Sequence, residues 1–365
     1  MKNCIVYYPF KIDPNHPSAS NIRPVKFIKG LKEAGYNVEV IQGYAKERKK
    51  SIKLIKKNIS KGKNYDFLYM ENSTEPTLLT EKHHLPIHPI FDFKFLSYCK
   101  KKDIKIGLFY RDIHWRFDQY KNSVSLPKRL VAYSFYYYDL IKFKKYIDIL
   151  YLPSHEMKKH IPINLSKKVI ELPSGCDSEF MGNQKVSSLP LKLLYVGGLS
   201  KSLYNIETLV EAVYKNESFE LYICCRPNEW VKNKPYYEKY LTSNRIHVIH
   251  KNGKELDLFA ESSDLLSLAI EPSPYWEFAM PMKLFSYISY GKPILGVNNT
   301  VCGRFIEDAN IGYVSEYNLK DISEMLNYIE KNYDIEYNNK LKALKKTHEL
   351  NTWKMRANTV ICSLE

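Results

Sequence analysis

Short apolar runs alternate with helical patterns along almost the whole chain, and this alternation limits the possible folds more than any other sequence feature. In the first half, predicted strands cover residues 4–8, 37–42, 65–70, 104–110 and 147–152. In the second half, they cover residues 192–196, 219–225, 246–250, 265–270 and 293–297. Strands separated by helices are typical of parallel sheets covered by helices, so the predicted fold class is α/β.

The length of the chain predicts two domains. A chain of 365 residues is too long for one core of ordinary size. A polar stretch from Leu172 to Pro190 separates the two alternating halves and is typical of a hinge. We therefore predict doubly wound, Rossmann-like domains over residues 1–175 and 190–340, facing a cleft. Ligands of such domains bind at the carboxyl ends of the strands.

Composition argues against several classes of protein. No apolar run is long enough to span a bilayer, and residues 1–10 lack the features of a signal peptide, so we expect a cytoplasmic protein. The seven cysteines are scattered, which predicts neither disulfides nor structural zinc. His83, His84 and His88 have no carboxylate or cysteine at ligand spacing, and no Asp-x-Asp motif is present, so no metal is expected.

The net charge of +15 is concentrated in two stretches. One runs from Lys46 to Lys63, and the other, from Lys128 to Tyr146, is interleaved with aromatic residues. Such mixtures suit an anionic membrane surface, although a solvated helix face in a lysine-rich protein would look the same. No nucleic-acid-binding motif accompanies the charge, so nucleic acid is not an expected partner.

The segment from residue 265 to residue 297 has the pattern of an anion site. A predicted strand is followed by a loop that contains Glu277, and then by a helix with Pro281 in its first turn and Gly291 at its end. Lys283 lies in the first turn of that helix, where the helix dipole also favours negative charge. A nucleotide diphosphate would suit this arrangement.

This segment resembles the donor-binding motif of the two-Rossmann-domain (GT-B) glycosyltransferases, above all the retaining family 4 type. The matching residues are Pro281, Lys283, Leu284, Phe285 and Tyr287, followed by Gly291, Lys292 and Pro293. The family has a Glu-x7-Glu pattern, whereas here Ser286 replaces the second Glu, and Glu277 lies one residue further from it than the pattern requires.

The resemblance implies a hexosyltransferase that acts with retention and without a metal. The donor would be a nucleotide-sugar, most often UDP-linked in this family. The acceptor would be a saccharide, or a saccharide linked to polyprenyl diphosphate, used in assembling surface polysaccharides such as capsule at the inner face of a membrane. A C-terminal helix, at about residues 345–365, would cross back to the N-terminal domain.

The resemblance also implies donor-side roles. Lys283 would stabilise the leaving diphosphate, Glu277 would bind the sugar, and Ser286 would bind the ribose. Further donor-side candidates follow predicted strands: Gly197, Gly198, Lys201 and Arg226. Glycines let a backbone approach phosphate closely, although Gly-Gly after a strand is also an ordinary turn. Glu277 could equally be a solvated loop carboxylate.

The acceptor-side candidates lie in the first half. Arg111, Asp112, His114 and Trp115 directly follow a predicted strand, and Asp112 or His114 could orient the acceptor hydroxyl or accept its proton. Alternatively, an Asp–Arg pair and a half-buried Trp only fix the loop. Ser20 and Arg23 belong to the first strand-to-helix connection, where they would border the substrates or serve as ordinary capping residues.

Two other functions remain open at this point. One is a nucleotide-sugar epimerase or hydrolase on the same fold. The other is a catalytically silent, nucleotide-binding partner subunit, which Ser286 makes conceivable.

Overall fold

The computed structural model describes residues 2–13, 18–166, 168–183 and 188–365. Residues 14–17 of the predicted first loop and 184–187 of the predicted hinge lie outside this description. The chain forms two compact units, one comprising Met1–Ser174 with Trp353–Glu365 and the other comprising Gly175–Thr352.

The first unit contains a six-stranded parallel sheet in the order β2-β1-β3-β4-β5-β6. Its strands are β1 (Lys2–Tyr7), β2 (Tyr36–Ile41), β3 (Phe67–Glu71), β4 (Lys105–Phe109), β5 (Ile149–Leu152) and β6 (Lys168–Glu171). Its helices are α1 (Ala19–Glu33), α2 (Ala45–Ser60), α3 (Phe91–Lys100), α4 (Asp118–Ser123) and α5 (Leu126–Tyr146). The chain moves to one side of β1 to form β2 and to the other side to form β3, so the switch point lies between β1 and β3.

The second unit contains another six-stranded parallel sheet, in the order β12-β11-β10-β7-β8-β9. Its strands are β7 (Leu191–Val196), β8 (Phe219–Cys224), β9 (Ile246–Ile249), β10 (Leu265–Ser267), β11 (Ile294–Val297) and β12 (Gly312–Ser315). Its helices are α6 (Glu207–Tyr214), α7 (Pro227–Tyr237), α8 (Gly253–Ser262), α9 (Met282–Tyr290), α10 (Val301–Asp308) and α11 (Leu319–Leu350). Here the switch point lies between β7 and β10.

The α/β prediction with two doubly wound parallel sheets is confirmed, and all ten predicted strands form. The sequence analysis missed β6 and β12, since β6 has no fully buried residue and β12 begins with a glycine. The prediction for the first helix was wrong at its start. The sequence analysis placed Ser20 and Arg23 in the connection before this helix, but the helix begins at Ala19, so both residues lie inside it.

The predicted return of the C-terminal helix is confirmed, because α12 (Trp353–Leu364) packs against α1. Helix α11 stays in the second unit up to Leu350, so the return begins at Trp353. The contact is close at Gly30, where an added Cβ would lie 2.5 Å from the Trp353 carbonyl oxygen. Glycine is therefore needed here for the approach of two backbones.

This contact can be tested with Gly30→Ala. Alanine is the better helix former by about 1 kcal/mol, so α1 by itself would be stabilised. We expect the reverse, a loss of about 1–3 kcal/mol in the free energy of unfolding, because the added methyl group overpacks the contact with α12. Chemical denaturation measures the change. Lys29→Ala, at the exposed neighbouring position, should change stability by less than about 0.5 kcal/mol. Equal stability of the two variants would contradict the packing of α12 on α1.

Candidate functional site

The switch point of the second sheet brings the first candidate residues together. Gly197 directly follows β7, and its backbone N–H donates to the Cys224 carbonyl at 2.9 Å, which extends the sheet by one residue. An added Cβ on Gly197 would clash with the Tyr195 hydroxyl and would lie 3.0 Å from Lys283 Nζ. The Tyr195 hydroxyl itself donates to the Gly198 carbonyl at 2.7 Å. The absence of a side chain at Gly197 therefore brings the backbone next to the Lys283 ammonium, whereas at Gly198 an added Cβ would meet the Tyr204 ring.

Lys283 lies in the first turn of α9, two residues after the N-cap Pro281. Burial is the main cause that lowers the pKa of its ammonium to about 8. Cys224 acts in the opposite direction, and the positive charge of Arg226 also lowers the pKa. Within the described part of the chain, no carboxylate lies within ion-pair distance of Lys283. An ammonium that is partly desolvated and lacks a counter-ion is a favourable place for an anion to bind.

Helix α9 has the faces that its sequence predicts. Leu284, Phe285 and Ile288 are buried in the core of the second unit, whereas Lys283 and Ser286 remain partly exposed on another face. The Ser286 hydroxyl makes no hydrogen bond to any residue that the structure describes, so it is available one turn after Lys283. Gly291 ends the helix in the left-handed conformation, with φ of 66°.

Arg226 and Lys201 differ in how their charges are used. Arg226 is exposed at the N-cap of α7, directly after β8, and its charge reaches Lys283. Lys201 instead places its Nζ 3.3 Å from a carboxylate oxygen of Glu207 and 4.2 Å from the centre of the Tyr236 ring. Glu207 already offsets the Lys201 charge, which makes Lys201 the weaker candidate for the diphosphate.

Glu277 lies in the loop between β10 and α9, where its side chain is partly exposed. The loop is anchored on both sides of Glu277 by buried aromatic residues, Trp276 and Phe278. The Trp276 indole N–H donates to the Leu203 carbonyl at 2.7 Å, and the Glu277 carbonyl accepts from Arg304 at 3.5 Å. These contacts hold the Glu277 backbone in place. The loop lies near the edge of the sheet at which Gly197 follows β7.

In the first unit, the candidate residues after β4 are held by a buried carboxylate that the sequence analysis missed. Glu71 ends β3 and is fully buried. Its Oε1 lies 2.6 Å from Arg111 Nη2, and its Oε2 lies 3.4 Å from Arg23 Nε. The next residue, Asn72, accepts the Arg111 backbone N–H at 2.7 Å. An acidic residue at the end of an otherwise apolar strand was the signal that could have identified this cluster.

Asp112 shapes the loop that carries His114. Its Oδ1 accepts the backbone N–H groups of Ile113 at 2.6 Å and of His114 at 3.0 Å, and a short 3₁₀ turn, His114–Arg116, follows. The other carboxylate oxygen lies 3.9 Å from His114 Nδ1. The imidazole packs edge-on against Tyr120 and Tyr136, with ring centres 5.3 Å and 6.5 Å away. A carboxylate beside an oriented, partly exposed imidazole is suited to general acid–base chemistry.

Two of the predicted acceptor-side residues are buried in the first unit. Trp115 is 2% exposed, stacks on Tyr136 with ring centres 4.7 Å apart, and donates to the Tyr110 hydroxyl at 3.3 Å. Arg23 is 5% exposed and donates to the Leu172 carbonyl at 3.1 Å and to the Ser174 hydroxyl at 3.4 Å. These contacts hold both side chains within the core, and their acceptor-side roles stay predictions. Ser20 remains partly exposed in the first turn of α1.

In the described ranges, no three or more His, Cys, Asp or Glu side chains are placed to hold a metal ion. All three loop histidines contact other groups. His83 Nδ1 accepts the Leu85 backbone N–H at 3.0 Å, His84 Nδ1 lies 3.4 Å from a Glu75 oxygen, and His88 Nε2 lies 3.2 Å from Lys49 Nζ. In the same ranges, no helix combines the length and apolar character needed to cross a bilayer.

Solved structures with the same arrangement identify the fold. A glycosyltransferase from Rickettsia africae is similar over 100% of this chain and 98% of its own, with a TM-score of 0.66 and 15% identity. HepE of Anabaena in complex with UDP and glucose is similar over 99% of each chain, with a TM-score of 0.63 and 9% identity. WaaG, a glycosyltransferase involved in lipopolysaccharide biosynthesis, is similar over 98% of each chain, with a TM-score of 0.60 and 12% identity.

The chain has the GT-B fold. No protein-family model matches the chain, and no curated protein matches it in sequence. The two sheets are the two Rossmann-like domains of the GT-B fold, and α12 is its returning C-terminal helix. At these low identities the similarity shows the fold alone, so residue roles depend on the geometry described above.

The Glu71 cluster gives a stability prediction for the first unit. Replacing Glu71 with alanine leaves the guanidinium groups of Arg111 and Arg23 without their shared carboxylate in the protein interior. We expect the free energy of unfolding to fall by about 3–5 kcal/mol, as is typical when one partner of a buried ion pair is removed. Glu75→Ala is the control, since Glu75 is exposed and should contribute less than about 0.5 kcal/mol. A small loss for Glu71→Ala in denaturant titrations would show that the cluster does not stabilise the unit.

Proposed function

We propose that this protein is a retaining, metal-independent glycosyltransferase. It would transfer a hexose from a UDP-sugar to a saccharide acceptor, carried on polyprenyl diphosphate, in the assembly of a surface polysaccharide. The GT-B fold supports the reaction class. The observation that carries the proposal is the Lys283 ammonium, which lies beside Gly197 after β7 and has no carboxylate partner among the described residues.

The second unit would bind the donor. The diphosphate would lie against Gly197, Gly198 and Lys283, with Arg226 adding positive charge. Negative charge grows on the diphosphate as the glycosidic bond breaks. An ammonium that is already in place and not neutralised by a carboxylate stabilises that growing charge more than it stabilises the bound donor. Glu277 would accept hydrogen bonds from sugar hydroxyls, and Ser286 would contact the ribose.

The first unit would bind the acceptor at Asp112 and His114. The acceptor hydroxyl would attack the anomeric carbon on the face from which the diphosphate departs. The new bond to the hydroxyl oxygen forms as the bond to the diphosphate oxygen breaks, and the leaving diphosphate takes the hydroxyl proton. Asp112 or His114 would orient the hydroxyl, and the ion pair between Arg111 and Glu71 would hold the start of their loop.

Ser286 favours one other function. A hydroxyl is a weaker partner for a ribose than a carboxylate, so a subunit that binds a nucleotide without turning over its sugar is the second candidate. WaaG is described as taking part in lipopolysaccharide biosynthesis, and we extend that setting to this chain only as part of the proposal.

The main test is a donor screen that measures release of nucleoside diphosphate, with and without a membrane lipid extract. We expect release from a UDP-sugar that depends on the extract. Lys283→Met should lower the rate roughly 100-fold or more, because it removes a charge that acts at the transition state. Lys342→Met, at an exposed position on α11, should leave the rate unchanged.

Other outcomes of the screen each contradict the proposal in a different way. Equal release of nucleoside diphosphate with and without the lipid extract would indicate a hydrolase or an epimerase. Binding of UDP-sugars with no release would indicate the silent subunit. A drop in the unfolding temperature of Lys283→Met large enough to leave little folded protein in the assay would mean that Lys283 supports folding instead of chemistry.

The pKa of Lys283 predicts how UDP affinity depends on pH. In the free protein this pKa is about 8, and a bound diphosphate raises it by favouring the ammonium. Affinity should therefore fall above about pH 8, by up to roughly tenfold per pH unit, until the pKa of the complex is reached. Below about pH 7 the terminal phosphate of UDP itself becomes protonated, so the Lys283 titration is read above that pH. Calorimetric titrations from pH 6 to pH 10 would measure this and the accompanying proton uptake. Lys283→Met should bind more weakly and without this slope, and an unchanged slope would assign the titration to another group.

A further inference from the structure

Helix α5 has a second apolar face beside the face that it buries. Ala132, Tyr136, Leu140 and Phe143 are buried against the first unit. The neighbouring face carries Leu126, Leu130, Tyr137 and Ile141, whose spacings of four, seven and four residues place them together. They are 38–59% exposed. A contiguous exposed apolar patch of this kind is typical of a surface that binds a membrane or another molecule, and this face is called here the α5 ridge.

A second apolar element lies beside the α5 ridge. Leu85, Ile87 and Ile90 are 49–57% exposed in the loop before α3. Tyr138 on α5 holds this loop, because its hydroxyl donates to the Pro89 carbonyl at 2.7 Å. The same Tyr138 ring packs against Phe93 in α3, with ring centres 5.6 Å apart. Tyr138 is adjacent to Tyr137 of the ridge, so the 85–90 loop adds a second exposed apolar element near the α5 ridge from a separate part of the sequence.

The charged side chains on these two elements are positive at the surface. Lys128, Lys144 and Lys145 of α5 are exposed, and Lys144 lies next to Ile141 on the ridge face. Lys142 lies over the Tyr138 ring, with Nζ 5.1 Å from its centre. The acidic residue of α5, Asp139, is buried and accepts the Thr77 backbone N–H at 2.6 Å. The segment 82–90 contributes a lysine and three histidines and no carboxylate.

Apolar side chains with lysines beside them are suited to an anionic bilayer. A helix that lies in the interface buries its apolar residues at the headgroup boundary, and its lysines reach the lipid phosphates with their long stems. From Leu126 to Ile141 the ridge is about 22 Å long, at 1.5 Å per residue. Tyr137 adds an aromatic side chain of the kind enriched at membrane interfaces.

We propose that the first unit docks on an anionic bilayer surface through the α5 ridge and the 85–90 loop. The docking goes beyond the proposed function and does not depend on it, since it requires no sugar transfer. It also has a consequence for an acceptor carried on a lipid. Tyr136 of α5 stacks on Trp115 and packs against the His114 imidazole, so the docking helix directly supports the acceptor-side loop.

Flotation with lipid vesicles tests the docking in the absence of any donor. The full chain should float with phosphatidylglycerol-containing vesicles and not with pure phosphatidylcholine vesicles, and less of it should float at about 0.5 M salt than at about 0.05 M. The double variant Leu130→Ser and Ile141→Ser should lower the bound fraction roughly tenfold or more, because it removes two apolar anchors. The double variant Lys144→Gln and Lys145→Gln should bind less at low salt and should respond less to added salt.

Matched variants in the second unit serve as controls. Leu258→Ser with Ile335→Ser removes two apolar side chains that are 67% and 75% exposed, and Lys345→Gln with Lys346→Gln removes two exposed charges. Both should float like the wild type. All four variants should keep the wild-type unfolding temperature, which separates a loss of docking from a loss of folding.

Two results would overturn the docking proposal. The first is flotation of the ridge variant equal to that of the wild type. The second is no flotation of the wild type, together with a dimer in sedimentation that the ridge variant abolishes, which would assign the surface to a second copy of the chain. Neither result bears on nucleotide release measured with a soluble acceptor, so failure of the docking and failure of the proposed transferase activity are distinguishable.

Discussion

Parallel strand pairing is the constraint on which the arrangement of the candidate site depends. Every strand pair in both sheets is parallel, so each chain reversal needs a covering segment and all carboxyl ends lie along one edge. In the second sheet this edge collects Gly197, Arg226 and the loop before α9, although they are far apart in sequence. The switch point between β7 and β10 opens the space next to Gly197 that Lys283 reaches.

Positively charged side chains have opposite roles in the two units. In the first unit, Glu71 neutralises both Arg111 and Arg23, and the resulting ion pairs fix a strand end and the adjacent loop. In the second unit, Lys283 has no such carboxylate among the residues described, and burial lowers its pKa to about 8. A neutralised guanidinium contributes to architecture, whereas a desolvated ammonium without a counter-ion gains most from binding an anion. This contrast is why Lys283 carries the functional proposal and Arg23 does not.

The local pattern of apolar and polar residues was sufficient to predict most of the fold. Apolar runs located ten strands, and the periodicity of α9 separated its buried Leu284 and Phe285 from Lys283 and Ser286. The pattern failed where an element buries little, as in β6, and at the start of α1, since Ser20 suits a cap and a first turn equally well. For Trp115 the sequence left packing and binding open. An aromatic residue in a loop has no periodicity that would distinguish packing from binding.

By itself, the sequence determined the α/β class, the two-domain division and the strand–loop–helix segment around Lys283, because these depend on side-chain periodicity and local turn chemistry. Only the tertiary structure decided which charges are neutralised. The partners of Arg111 and Arg23 lie 40 or more residues away in sequence, and spacing gives no information about such contacts. The tertiary structure also leaves a second apolar face of α5 exposed. Exposure depends on how the molecule packs, so it cannot be derived from composition.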